Sequence, residues 1–79
     1  MVWNHRVIRH EKDGEIWYAI HECFYEDPED DSTISWTENE IAPIGDDPDS
    51  LRRTLERMLR ALERPILVID GERLIHEKP

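Results

Sequence analysis

The chain has 79 residues, with 19 Asp and Glu against 10 Lys and Arg, for a net charge of −9. A chain this short makes one domain with one modest core, and because it buries only about 60% of its unfolded surface it is marginal unless it binds something or self-associates. An acidic surface repels phosphate backbones, which disfavours direct binding to DNA or RNA.

Hydrophobic residues are 38% of the chain and charged residues 37%, but three Trp, two Tyr and one Phe supply material for packing. The composition is that of a folded domain rather than a disordered segment. Cys23 is the single cysteine, so no internal disulfide exists. The N-terminus lacks an apolar leader and the longest aliphatic run is residues 66–69. Signal-peptide secretion and membrane spanning are therefore not expected, and the expected location is cytoplasmic.

In chain order, residues 5–11 form a short strand centred on Val7 and Ile8. Asp13-Gly14 then predicts a tight hairpin, because a type I′ turn needs two positive φ angles. Residues 15–26 are the clearest strand. Ile16, Tyr18, Ile20 and Phe24 alternate with Trp17, Ala19, His21, Cys23 and Tyr25, and the more aliphatic first set is placed under a helix. Glu22 falls on that same face, which predicts a bulge there or an end to the helix's cover. Residues 26–32 form an acidic, proline-interrupted loop expected to be mobile, and residues 33–38 a third strand with Trp36 facing inward. A connection containing Pro43 and Gly45 follows, pinned by Ile41 and Ile44.

Residues 47–64 read as one amphipathic helix. Leu51, Leu55, Met58, Leu59 and Leu62 make an apolar stripe, Asp47 is placed to cap the N-terminus ahead of Pro48, and Pro65 ends the helix. The opposite face carries arginines in i, i+4 register with acids, the pattern of a solvated face. Residues 66–69 favour another strand, and after Asp70-Gly71 residues 70–79 make either a final hairpin or a partly docked tail. The expected fold is α+β in the order β-β-β-α-β: an antiparallel sheet of three to four strands with the helix on one face.

Chemistry-bearing constellations are sparse. His21 and Cys23 share a strand face and could meet His5, His10 or His76, but metal-ligand spacings such as C-x-x-C are absent and only one thiol exists. A Cys–His nucleophilic pair has no orienting third group, and the three glycines are isolated in turns rather than gathered in a phosphate loop. No metal, cofactor or catalytic residue is expected, and the chain is read as non-catalytic.

Charge is segregated. Residues 11–50 hold fourteen acids against Lys12 alone, while residues 51–64 hold five Arg and two Glu. A strongly acidic surface attracts a basic groove such as one that holds nucleic acid. The residues expected to contact such a partner are Glu26, Asp27, Glu29, Asp30, Asp31, Glu38 and Glu40, with Trp17, Tyr25 and Trp36 packing beside them. Trp17, His21 and Tyr25 lie on the face expected to be left open by the helix. That face is either a surface for a partner or a second copy, or is covered by the N-terminal segment or the C-terminal tail.

The succession Tyr18-x-Ile20-His21-Glu22-x-x-Tyr25, Trp36-Thr37-Glu38, Ala42-Pro43-Ile44-Gly45 and the leucine-spaced helix resembles a group of short acidic bacterial and phage proteins, over about residues 15–67. The resemblance implies no activity. More loosely, a hairpin followed by Gly45-Asp46 and Leu51, Leu55 and Leu59 resembles the N-terminal half of HicB-type antitoxins. Their partial RNase H-like domain neutralises a small toxin, but the DNA-binding segment of that family has no counterpart here. In size and charge the chain is also similar to anti-CRISPR inhibitors that present DNA-like carboxylate arrays. Two functions follow as expectations: an inhibitor occupying a basic, nucleic-acid-binding surface, or an antitoxin-like protein blocking a toxin through its sheet face.

Overall fold

A computed structural model describes residues 2–27 and 33–77. Strand β1 (Val2–Lys12) and strand β2 (Glu15–Tyr25) form a long antiparallel hairpin, in unbroken register from Lys12↔Glu15 to Val2↔Tyr25. Asp13 (φ 54°) and Gly14 (φ 83°) both adopt the left-handed conformation that the Asp-Gly pair predicts. Strand β3 (Thr33–Trp36) pairs antiparallel with β2, and the register slips between Phe24 and Tyr25. The bulge therefore lies beyond Glu22, where the alternation first breaks.

Helix α1 (Pro48–Leu59) starts as the sequence predicts. Asp47 is extended, and its Oδ1 accepts the Ser50 amide at 2.7 Å. Gly45 stands where a Cβ would collide with the Leu51 backbone, so the entry to the helix requires glycine. The expected helix to residue 64 is shorter: Arg60–Glu63 tightens into a 3₁₀ turn, and Arg64 is extended (φ −102°, ψ 159°), as a residue before proline must be.

Strand β4 (Leu67–Asp70) lies parallel to β1, and strand β5 (Arg73–His76) returns antiparallel through Gly71 (φ 67°). The sheet order is β3-β2-β1-β4-β5. The α+β class is as expected, but the sheet has five strands and is mixed. A helical crossover returns the chain to the far side of β1, which forces β4 to run parallel to it.

Residues opposed across a strand pair share a face, so Val2, Ile8, Cys23 and Tyr25 lie on one side, with Leu67 beside Ile8 and Trp36 beside Cys23. Ile8, Cys23, Tyr25 and Leu67 form the core cluster, with Val2, Trp36 and Leu74 packed against it. This is the face away from the helix. The edge strands β3 and β5 approach within 8 Å (Cα–Cα), so the sheet curls and encloses the core on its concave side. The face of His21 and Tyr25, expected to stand open, is thus largely interior: His21 is 1% exposed and Tyr25 5%.

On the convex side, α1 and its 3₁₀ turn cross β1, and Trp3, His5 and Glu22 line a shared groove with Thr54, Arg57 and Met58. The buried line on this segment is Met58 and Ala61, flanked by half-buried Leu51 and Thr54. Leu55, Leu59 and Leu62 are 47%, 63% and 63% exposed. The apolar stripe is therefore wider than the surface it meets. The helix sits on its Met58–Ala61 edge, because Ala61 lets the backbone approach β1 closely, and the leucines overhang into solvent.

This asymmetry predicts that Met58→Ala lowers unfolding free energy by about 2–4 kcal/mol, the cost of an unfilled core site. Leu59→Ala should change it by less than about 1 kcal/mol, in the range of a surface substitution. Urea denaturation followed by far-UV circular dichroism measures both. Gly45→Ala should lose about 1–3 kcal/mol through overpacking against Leu51.

Candidate functional site

A groove runs on the convex side, between the start of β1, residues 40–44 and α1. Two backbone bonds build one wall: the Thr37 amide donates to Glu22 O (3.0 Å) and the Ile41 amide to Ile20 O (2.9 Å), so residues 37–41 track the outer edge of β2. One compartment, about 480 Å³, is lined by Ile41, Ala42, Ile44 and Met58, with Glu22 and Glu40 at its polar margin. A second, about 170 Å³, is lined by Trp3, Asn4, His5, Arg57, Arg60 and Arg64. Trp3, His5 and Arg57 border both compartments, so the two are adjacent.

Electrostatics differ along the groove. The smaller compartment carries three guanidiniums and no carboxylate in its lining. His5 is 5% exposed, and its edge meets Trp3 in a T-shaped contact with ring centroids 5.3 Å apart. Burial holds His5 below its ordinary value; Glu22 opposes this, and Arg57 and Arg64 reinforce it.

The concave interior holds a polar network that the sequence pattern does not reveal. Arg6 is 1% exposed; it donates from one terminal nitrogen to Tyr25 Oη and from the other to Pro65 O, both at 2.9 Å. Tyr25 in turn donates to Asn4 Oδ1 at 2.8 Å. His21 Nδ1 lies 2.8 Å from Thr37 O, and since a carbonyl only accepts, this nitrogen carries the proton. In the neutral ring Nε2 is then an acceptor, and His10 Nε2, 2.9 Å away, donates to it. His10 stacks on Trp17 with centroids 5.1 Å apart and planes at 9°. Burial, and then His21, push His10 below its ordinary value, while Glu40 opposes them. Cys23 is fully buried, and its thiol is pushed up to about 11 by burial, with Arg6 opposing. Among the described residues, no group of three or more His, Cys, Asp or Glu is arranged to hold a metal ion.

The expected contact residues separate into three sets. Glu26, Asp27, Glu38 and Glu40 are exposed beside the β2–β3 edge. Glu29, Asp30 and Asp31 lie outside the described residues. Of the aromatics, Trp17 is 44% exposed, Trp36 is half-buried against the core and Tyr25 is buried. Tyr25 is thus corrected from a contact anchor to a core residue, because the curl of the sheet turns its face inward. Missed in the sequence was the convergence of Arg57, Arg60 and Arg64 on Trp3 and His5. Their spacing along the helix was legible, but the strand they meet was not.

Comparison with protein-family models, curated proteins and solved structures finds no match to this chain. No helix among the described residues is long and apolar enough to cross a membrane.

Both His5 and His10 resist a proton that their unfolded counterparts accept near pH 6.5. Their contribution to stability is present above that pH and is lost as pH falls through the lower native values. Unfolding free energy measured between pH 8 and pH 5 should therefore fall less steeply for His10→Gln than for the wild type. Taking the difference removes the carboxylate contributions common to both proteins.

Proposed function

We propose that this chain is a non-catalytic binding protein whose acidic edge occupies a basic, nucleic-acid-binding surface of a partner protein, as a DNA-mimicking inhibitor of the anti-CRISPR kind would. The observation that carries this reading is the β2–β3 edge. Residues 22–49 contain eleven acids and no Lys or Arg. The bonds from Thr37 and Ile41 to β2 lay Glu38 and Glu40 along the same border as Glu22. Glu38 and Glu40 are exposed and enter no ion pair among the described residues. Carboxylates held within one Debye length, about 8 Å at physiological salt, act on an approaching surface together. Backbone hydrogen bonds, not the leucine stripe of the helix, fix this edge in place.

A second reading is an antitoxin-like protein that blocks a toxin through the sheet. It is favoured by the free end of the hairpin, where Ile16, Trp17 and Tyr18 are 49%, 44% and 53% exposed in succession. Aromatic residues of this kind anchor protein interfaces.

Capture of the partner from a lysate of the producing cell, followed by titration of the purified pair, distinguishes the two. On the first reading affinity falls steeply between low and high salt, and Glu38→Lys with Glu40→Lys weakens binding about tenfold or more, mostly through the association rate. Trp17→Ala with Tyr18→Ala then has a smaller effect. Affinity indifferent to salt, with the aromatic pair dominant, would replace the first reading with the second.

A further inference from the structure

The arginine compartment runs against the character of the rest of the molecule. In a chain with a net charge of −9, Arg57, Arg60 and Arg64 line one cavity of about 170 Å³ with Trp3, Asn4 and His5. Three like charges gathered around a concavity repel one another unless an anion sits between them. Guanidiniums are also the groups best suited to grip a phosphate through paired N–H donors. Arg57 and Arg64 are partly tethered, Arg57 to Thr54 Oγ1 at 3.4 Å and Arg64 to the Arg60 carbonyl at 3.3 Å, which holds them on the helix side of the cavity. Arg60 enters no ion pair among the described residues.

The neighbouring compartment says what else the ligand carries. On the other side of Trp3 and Arg57 lies the compartment of about 480 Å³, with an apolar wall of Ile41, Ala42, Ile44 and Met58. Glu22 and Glu40 at its margin are acceptors for hydroxyl or amino groups. A bare inorganic anion would leave this second space to water.

We propose that the groove is a binding site for a small phosphomonoester. Its phosphate is held by Arg57, Arg60 and Arg64, and its ring or other uncharged body lies across the exposed face of Trp3 into the wider compartment. The site lies on the convex face of the sheet and its anion grip rests on arginines and Trp3, although Glu22 and Glu40 at its margin also belong to the acidic edge. It can therefore be tested without a partner protein.

The test titrates the full chain with phenyl phosphate, inorganic phosphate and phenol at matched ionic strength in chloride. Heat of binding and the Trp3 indole N–H resonance are the readouts. Saturable binding in the order phenyl phosphate, then inorganic phosphate, then phenol is expected, with a shift of the Trp3 signal. Arg60→Ala with Arg64→Ala should weaken phenyl phosphate binding at least tenfold, while Arg53→Ala, on the same helix but outside the cavity lining, should leave it unchanged. Circular dichroism establishes that each variant is folded, and Arg60→Lys with Arg64→Lys serves as a second variant that keeps the charge and loses the paired donors. Phenol binding as well as phenyl phosphate, no saturation above the chloride background, or equal affinity in Arg60→Ala with Arg64→Ala would each overturn the assignment.

Discussion

Strand β1 has to be covered on both of its faces, and the rest of the structure follows from how that is done. His5, Arg6, Val7 and Ile8 are successive residues, and they are 5%, 1%, 3% and 0% exposed. A strand with one wet face would show alternation, whereas four consecutive buried positions require a layer on each side. One layer is the helix with its 3₁₀ turn, seated through Met58 and Ala61. The other is the sheet itself, curled until β3 and β5 approach. Burying His5 and Arg6 in this way is tolerable because each has an arrangement to suit it. Arg6 is spanned between Tyr25 and Pro65, and burial, reinforced by Arg57 and Arg64, disfavours the charged form of His5.

The same construction separates the charges. Because β2 and β3 form one side of the sheet and the helix crosses β1, Glu22, Glu26, Asp27, Glu38 and Glu40 lie on the β2–β3 side, while the five arginines of residues 51–64 lie on the helical segment. At the groove Glu22 and Glu40 line one compartment, and Arg57, Arg60 and Arg64 line the other. On the two proposals made above, one region of this surface would address a basic macromolecule and another a small anion.

Apolar exposure is distributed in a similar fashion. Leu55, Leu59 and Leu62 overhang one flank of the helix, and Ile16, Trp17 and Tyr18 stand at the end of the hairpin. Both groups lie where the hairpin or the helix outruns the layer beneath it. The hairpin is eleven residues per strand, whereas β3, β4 and β5 are four each, so its tip extends past its neighbours.

Local chemistry determined much of this protein directly. The Asp13-Gly14 turn, the Asp47 cap, the stop at Pro65 and the alternation of β2 are each set by a few neighbouring residues, and each was legible in the sequence. The candidate acidic edge was legible too, since it is a continuous run. Which face of β2 is interior, which edge of the leucine stripe is buried, and that β4 runs parallel to β1 were decided only by the tertiary structure. These depend on contacts between residues far apart in the chain: Ile8 with Leu67, Cys23 with Trp36, Arg6 with Pro65. A periodic pattern fixes that a helix or strand has an apolar side, but not which neighbour arrives to cover it. The arginine cavity belongs to this second group, because Trp3 and Arg60 become neighbours only once the helix has crossed the first strand.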